Sequence, residues 1–207
     1  ATLQITVLNV NDAPEFTVDP VPGNNATEDE GYLANLAALV TDQDGGETLT
    51  FVKVSGPAWL TVAANGAVSG TPLNEDVGLN EFVVRVTDGA SASDEAALNI
   101  TVLNVNDAPA FASDPTVVAN ATEDATYTAS LVGSAVDVDA GAVLVYSDLS
   151  GPAWLSLGSN GVLSGTPSNS DVGLNTFTVR VTDGLSDPVQ ATLQITVLNV
   201  NDAPEFT

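Results

Sequence analysis

Large apolar side chains recur at every second position along several stretches of the chain. Residues 82–87 and 98–103 show this alternation, and residues 177–182 and 193–198 repeat it. A period of two is typical of a strand that packs one face on a core. Turn signals such as Asn-Gly at Asn65 separate these stretches, and no stretch shows a convincing period of 3.6. The pattern therefore predicts an all-β fold.

The sequence repeats with a period of 95 residues. The tetrapeptide Asn-Asp-Ala-Pro begins at Asn11, Asn106 and Asn201, and residues 1–17 are identical to residues 191–207. Repeats of this length, with about seven short strands each, predict tandem Greek-key β-sandwiches of immunoglobulin-like type. We expect the chain to be a window of a longer array. Residues 1–13 would be the last strand and linker of a preceding repeat, residues 14–108 repeat one, residues 109–203 repeat two and residues 204–207 the start of a further repeat.

Composition narrows the possible partners. The chain carries 27 acidic residues and three basic ones, a formal charge of −24. This charge excludes nucleic acid and anionic lipid as natural partners, because both require Lys and Arg, and it favours cations. Cys, Met and His are absent, which excludes disulfides, thiolate or imidazole metal sites and catalysis by a histidine base. The sequence contains no run of about 18 apolar residues, so it does not predict a membrane-spanning segment.

Four sequence elements carry a resemblance to cadherins. The linker Asn-Val-Asn-Asp-Ala-Pro at 104–109 resembles the cadherin linker Asp-x-Asn-Asp-Asn-x-Pro. Ala-Thr-Glu at 26–28 resembles the Pro-Glu of that family, and Asp-Gln-Asp at 42–44 stands where cadherins have Asp-x-Asp. Val-Thr-Asp-Gly at 86–89 resembles their Ala-x-Asp-Gly. The elements occur in the same order in both repeats.

Two further motifs make the resemblance more specific. With Gly-Pro-Ala-Trp at Gly56 and Ser-Gly-Thr-Pro at Ser69, each repeat is similar to the dystroglycan-type cadherin-like modules of large bacterial surface proteins. The resemblance implies Ca²⁺ at the joints between modules. Its ligands at the joint between the two repeats would be Glu28, Asn104, Asn106, Asp107, Asp137, Asp139 and Asp183. Those at the preceding joint would be Asn9, Asn11, Asp12, Asp42, Asp44 and Asp88, and those at the following joint would include Glu123, Asn199, Asn201 and Asp202.

The residue types fit this chemistry independently of the resemblance. Calcium binds six to eight oxygen atoms from carboxylates, amides and backbone carbonyls. In an extended segment residues i and i+2 point the same way, so Asp137 and Asp139 can share an ion. An EF-hand is a poorer match, because the later acidic ligands are missing. Asn104 and Ala108 replace an Asp and an Asn of the cadherin linker, so we expect one or two ions per joint.

Each candidate residue also has an ordinary structural explanation. Asp42 and Asp44 could form a solvated acidic turn. Trp59 and Trp154 are candidates for sugar-stacking platforms, although the core of a sandwich is the more usual place for such a residue. The adjacent acids at positions 75 and 76 suggest a glycosidase pair, but the second repeat has Ser in place of Glu75.

The sequence therefore predicts a calcium-binding extracellular or cell-surface module, not an enzyme, that acts as a calcium-stiffened spacer in a bacterial adhesin or surface protein. Its partners would be calcium ions and neighbouring repeats of the same chain, and a polysaccharide or another cell surface is left open. One alternative is a carbohydrate-binding accessory module of a polysaccharide-degrading enzyme. Homophilic adhesion is a third class, for which the sequence shows no self-complementary patch.

Overall fold

The computed structural model describes residues 2–44 and 46–203. The chain divides into two compact units, Ala1–Val105 and Asn106–Thr207. The described residues of both units form β-strands and three short 3₁₀ turns, at Ala37–Leu39, Asn74–Asp76 and Asn169–Asp171. The predicted start of a further repeat, residues 204–207, lies outside the described residues. No helix in the described part of the chain has the length and apolar character needed to cross a membrane.

The first unit has its strands in one large and two small sheets. The strands are β1 Glu15–Phe16, β2 Val21–Pro22, β3 Ala26–Thr27, β4 Tyr32–Asn35, β5 Val40–Thr41, β6 Thr50–Ser55, β7 Leu60–Val62, β8 Ala67–Gly70, β9 Gly78–Thr87 and β10 Ser93–Leu103. The large sheet has the order β2-β10-β9-β6, and β3 also pairs with β10. The strands β4-β8-β7 form the second sheet, and β1 pairs with β5.

The second unit repeats this arrangement. Its strands are β11 Ala110–Phe111, β12 Thr116–Val117, β13 Ala121–Thr122, β14 Tyr127–Ser130, β15 Ala135–Val136, β16 Val145–Ser150, β17 Leu155–Leu157, β18 Val162–Gly165, β19 Gly173–Thr182 and β20 Val189–Leu198. The sheets are β12-β20-β19-β16 with β13 on β20, β14-β18-β17, and β11-β15. The predicted fold class, tandem all-β sandwiches, is therefore confirmed, and the additional strands are mostly two-residue segments.

Alternation along the long strands builds the cores. In β9 the side chains of Phe82, Val84 and Val86 are at most 1% exposed, and β10 contributes Ile100 in the same way. The equivalent residues of β19 and β20 form the core of the second unit. At roughly 25 cal/mol per Å² of buried apolar surface, this burial is the main force that holds each sandwich together.

Trp59 belongs to the edge of the first core. Its indole N–H donates to Asn80 Oδ1 at 2.9 Å, and its ring makes edge-to-face contacts with Tyr32 and Phe82 at centroid distances of 5.8 and 5.5 Å. Trp154 makes the equivalent contacts in the second unit. Such contacts are typical of packing, and they support the core interpretation of both residues over the sugar platform.

Residues 2–13 form no strand, although the sequence predicts one there. Leu3, Ile5 and Val7 are 77–89% exposed. The identical sequence at 192–203 contains most of β20, where the corresponding apolar side chains are at most 2% exposed. The same sequence therefore forms a strand at 192–198 but not at 2–13, because only the later copy pairs with neighbouring strands.

Candidate metal centre

The first unit gathers acidic residues around the Asp42–Asp44 turn. The Asp44 N–H donates to Asp42 Oδ1 at 2.8 Å, which fixes an Asx turn. The two carboxylate oxygens of Asp44 accept hydrogen bonds from the Asp12 N–H and the Asn9 amide, both at 2.6 Å. The turn and the preceding linker segment are thereby joined through a single carboxylate.

Asp88, at the end of β9, is tied to the same linker segment. Its Oδ2 accepts a hydrogen bond from the Asn11 amide at 2.9 Å, and its Oδ1 accepts one from the Ala92 N–H at 2.8 Å. The Asn11 amide is the largest cause that holds the pKa of Asp88 below its ordinary value; burial acts in the opposite direction, and nearby backbone N–H groups support the lowering. Asp88 is therefore a stable anion.

The second unit reproduces the acidic turn 95 residues later. The Asp139 N–H donates to Asp137 Oδ1 at 2.9 Å, and the Asp107 N–H donates to Asp139 Oδ2 at 2.7 Å. Carboxylate oxygens of Asp107 and Asp139 lie within 4.8 Å of one another. Two ligands of one calcium ion, each about 2.3–2.6 Å from the metal, can be up to about 5 Å apart. The spacing is thus compatible with a shared ion.

Asp183 occupies the position of Asp88 in the second unit. Its Oδ1 accepts hydrogen bonds from the N–H groups of Ser186 and Leu185, both at 2.9 Å, and its Oδ2 accepts one from the Asn106 amide at 2.7 Å. These donors, led by the Ser186 N–H, hold the pKa of Asp183 well below its ordinary value. The charged form is the one that binds a cation.

A buried glutamate lies at the opposite end of each unit. Glu28 directly follows β3 and is 1% exposed, and Glu123 directly follows β13 and is 2% exposed. The Val105 N–H donates to Glu28 Oε1, and the Val200 N–H donates to Glu123 Oε1 at 2.5 Å. Pairing of β3 with β10 and of β13 with β20 brings each glutamate to the end of the final strand.

Four carboxylates share an unusual feature. In Glu28, Asp42, Glu123 and Asp137, one oxygen accepts a backbone N–H, whereas the other is buried and has no hydrogen-bond partner among the described residues. A buried carboxylate oxygen without a partner is costly. A bound divalent cation would supply the missing partner, and calcium, which takes oxygen ligands, fits this set of donors.

The structure groups most of the predicted ligands within each unit. In the first unit hydrogen bonds join Asn9, Asn11, Asp12, Asp42, Asp44 and Asp88 to one another or to the same linker segment. The second unit brings together the equivalent residues Asn106, Asp107, Asp137, Asp139 and Asp183. Glu28 belongs to the end of the first unit, and Asn104 is exposed. Calcium ligation by these residues stays a prediction.

Sequence reasoning missed one residue of this region. Asn169, at the start of a 3₁₀ turn, donates from its side-chain amide to Asp202 Oδ2 at 3.3 Å. The signal was present, because both repeats have Asn at this position, Asn74 and Asn169. It was missed because an isolated Asn between strands usually indicates only a turn.

The comparisons with known proteins agree with this architecture. The family described as "Putative Ig domain" matches residues 14–103 and again residues 108–198. The chain belongs to this family. Its two Ig-like domains are thus tandem copies, as the 95-residue period predicts. The matches leave residues 104–107 unassigned, so the predicted repeat limits 14–108 and 109–203 stay a prediction.

Cadherin structures share the fold of the Ig-like domains. Mouse Cadherin-23 EC22-24 is 21% identical with a TM-score of 0.67, covering 91% of this chain and 65% of that one. Human CDH23 EC21-23 is 22% identical with a TM-score of 0.61, covering 90% of this chain and 70% of that one. The chain is therefore a tandem Ig/cadherin-like module, a fold typical of non-enzymatic modules.

A glycoside hydrolase also matches. Endo-fucoidan hydrolase MfFcnA4 from glycoside hydrolase family 107 is 30% identical with a TM-score of 0.45, covering 91% of this chain and 29% of that one. The chain spans 29–35% of the length of the fucoidan hydrolases that it matches. A TM-score below 0.5 supports no argument about fold or function. No curated protein matches the chain.

Proposed function

We propose that the chain is a calcium-binding extracellular repeat module that acts as a calcium-rigidified spacer in a bacterial adhesin or surface protein. The proposal is supported above all by the buried carboxylate oxygens of Glu28, Asp42, Glu123 and Asp137 that have no hydrogen-bond partner in the described part of the chain. The feature occurs at equivalent positions of the two repeats, 95 residues apart, and is therefore not peculiar to a single loop.

The charge of the protein supports the same proposal. A formal charge of −24 on 207 residues attracts cations and repels phosphate-bearing partners. The linker residues that would contribute ligands, Asn106 and Asp107, are hydrogen-bonded to the acidic residues of the second unit. An ion there would hold the linker, and we propose that Glu28 of the preceding repeat completes its coordination.

Nothing in the structure favours the carbohydrate-binding alternative. Every aromatic side chain in the described residues is buried or half-buried, whereas sugar binding by stacking requires an exposed aromatic face. Trp59 and Trp154 use their indole N–H groups for internal hydrogen bonds. We therefore propose no enzymatic or sugar-binding role.

Isothermal titration of calcium into the wild-type chain and Asp137→Asn tests the proposal. Asp137→Asn keeps an acceptor for the Asp139 N–H but removes a ligand charge, so we expect binding in the second unit to weaken by at least about tenfold. Asp187→Asn, a change of an exposed acid, is the matched control and should bind as the wild type does. Absence of calcium binding by the wild type, or unchanged stoichiometry and affinity in Asp137→Asn, would contradict the site.

A further inference from the structure

A cavity of about 260 Å³ lies in the first unit, lined in part by β2 and β4, each of which is at the edge of its sheet. The buried side chains of Val21, Leu36 and Leu98 form part of its wall. The described residues that line it are all uncharged. A wall of apolar side chains with a few polar groups is typical of a site for a small molecule, and it disfavours an ion.

The hydroxyl of Tyr32 is a polar group of this cavity that lacks a partner. Tyr32 lines the cavity and is 6% exposed, and its hydroxyl oxygen is buried without a hydrogen bond to any described residue. Burial is the largest cause that raises the pKa of Tyr32, and the nearby Asn24 backbone opposes the rise, so at neutral pH the hydroxyl keeps a proton to donate. An unpaired buried hydroxyl is costly, and a bound molecule that accepts this proton would remove the cost.

The equivalent hydroxyl of the second unit has a partner. Tyr127, which corresponds to Tyr32, donates from its hydroxyl to the Ala119 carbonyl oxygen at 2.8 Å. Ala119 corresponds to Asn24, so the partner that the first unit lacks is a carbonyl oxygen. The tyrosine is thus common to both repeats, and its hydrogen bond to the chain is not.

A glycine explains this difference between the repeats. The N–H of Gly23 donates to β10 at 2.8 Å, whereas the N–H of the equivalent Val118 donates to β20 at 3.5 Å. A Cβ on Gly23 would lie 2.5 Å from Ile100 Cγ1, so only glycine allows so close an approach. This approach accounts for the missing hydrogen bond between the Asn24 carbonyl and the Tyr32 hydroxyl.

We propose that this cavity binds a small neutral molecule with an apolar body and a carbonyl or hydroxyl oxygen, which accepts the proton of the Tyr32 hydroxyl. A cavity of about 150 Å³ holds benzene, so a cavity of about 260 Å³ admits up to roughly ten non-hydrogen atoms. The formal charge of −24 further disfavours anions. The described residues that line the cavity include none of the proposed calcium ligands, so this site goes beyond the proposed function and does not depend on it.

Titrations with benzyl alcohol and with toluene, which differ by a single hydroxyl, test the proposal. Two-dimensional NMR follows the backbone amides of the whole chain in EDTA, so that calcium plays no part. Benzyl alcohol should shift the amides of Gly23, Leu36 and Val68, which line the cavity, with a dissociation constant of about 1 mM or lower. No shift of these amides by benzyl alcohol overturns the proposal.

Tyr32→Phe isolates the hydrogen bond, because it removes the hydroxyl and keeps the ring. The variant should bind benzyl alcohol about fivefold more weakly than the wild type does, since the probe loses its donor. Toluene has no oxygen, so its affinity should stay within about twofold of the wild-type value. An unchanged affinity for benzyl alcohol, or an equal loss of affinity for both probes, overturns the role of the hydroxyl.

The second unit is a control within the same molecule. Its equivalent amides, those of Val118, Leu131 and Leu163, should shift little, because the Tyr127 hydroxyl already has a partner. Tyr127→Phe, the matched variant, should leave the affinity for both probes unchanged. Equal shifts in the two units, or equal effects of Tyr32→Phe and Tyr127→Phe on probe binding, overturn a site that is specific to the first unit.

The outcomes for this site and for calcium are separable. If the wild type binds calcium but benzyl alcohol shifts no amide of the cavity, this inference is overturned and the proposed function stands. If benzyl alcohol binds as expected and calcium does not bind, the cavity site is supported and the proposed function is overturned.

Discussion

At the scale of single residues, each buried glutamate has one carboxylate oxygen that accepts a hydrogen bond and one that does not. Glu28 and Glu123 each accept one backbone N–H, and the second carboxylate oxygen of each is buried without a partner in the described residues. Without a cation, each glutamate therefore destabilises the unit that contains it. If these glutamates ligate calcium, as we propose, the same charge becomes a ligand. We therefore predict that the sign of its effect on stability depends on calcium.

Glu123→Gln should separate these two effects. In EDTA the variant should melt a few degrees higher than the wild type, because a neutral amide is less costly to bury than an unpaired charge; 1 kcal/mol corresponds to about 4–8 °C for a domain of this size. Addition of calcium should raise the melting temperature of the variant less than that of the wild type. Melts by circular dichroism, with the exposed Asp187→Asn as the control for net charge, measure both. A lower melting temperature of Glu123→Gln in EDTA would contradict this account.

At the scale of elements, β8 approaches the residue before β7 so closely that larger side chains are not tolerated at one position of β8. A Cβ on Gly70 would lie 2.0 Å from the carbonyl oxygen of Trp59. Gly165 has the same relation to Trp154 in the second unit, also at 2.0 Å. A backbone carbonyl within a packed sheet cannot move aside cheaply, so glycine is required there for space.

Gly70→Ala should therefore destabilise the first unit by about 1–3 kcal/mol. Gly31→Ala is the matched control, because a Cβ at Gly31 meets nothing within 4 Å and the second repeat has Thr126 at that position. Chemical denaturation of the two variants compares their free energies of unfolding. Equal values for both would show that the close approach does not matter.

The 3₁₀ turn at Asn169–Asp171 makes a pH-dependent contribution. The Ser168 N–H and hydroxyl both donate to Asp171 Oδ2, at 2.8 and 2.7 Å, and they hold the pKa of Asp171 below its ordinary value. A lowered folded-state pKa means that this stability is fully present above about pH 4 and is lost as the pH falls through the folded pKa.

Ser168→Leu, which introduces the residue that the first repeat has at Leu73, removes the hydroxyl donor and keeps the backbone donor. The pKa of Asp171, followed by NMR titration of its carboxyl carbon, should rise toward the ordinary value. The wild type should also lose more stability than the variant between about pH 4 and about pH 2. An unchanged pKa of Asp171 would show that the hydroxyl has no influence on the charge.

Sequence reasoning succeeded for the elements with a strong period. The alternation in β9 and β10 predicted both the strands and their buried faces, because burial of one face requires it. It could not predict β1, β2 and β3, since two-residue strands contain no period. At the candidate site it identified the carboxylates, but not the backbone N–H groups of Val105 and Val200 that orient two of them, because every residue type carries the same N–H group.

At the scale of the whole molecule, the spacer proposal predicts that calcium changes the distribution of conformations. The linker at 104–109 is short and polar, so without an ion we expect the two units to move relative to one another. Small-angle scattering should give a narrower distribution of maximum dimensions in calcium than in EDTA. The difference should persist at high NaCl, because monovalent ions screen charge but do not supply coordination. Identical profiles with and without calcium would contradict rigidification.

The parallel pairing at the start of each unit has a mechanical consequence. In the first unit β2 and β3 run in the same direction as β10, with further hydrogen bonds from Gly23 N–H to Asn99 O and from Glu28 N–H to Leu103 O at 2.8 and 3.1 Å. Tension that pulls residue 14 and residue 103 apart slides these strands past one another, so the hydrogen bonds bear the load together instead of opening one by one. The first unit should therefore resist stretching between its residues 14 and 103.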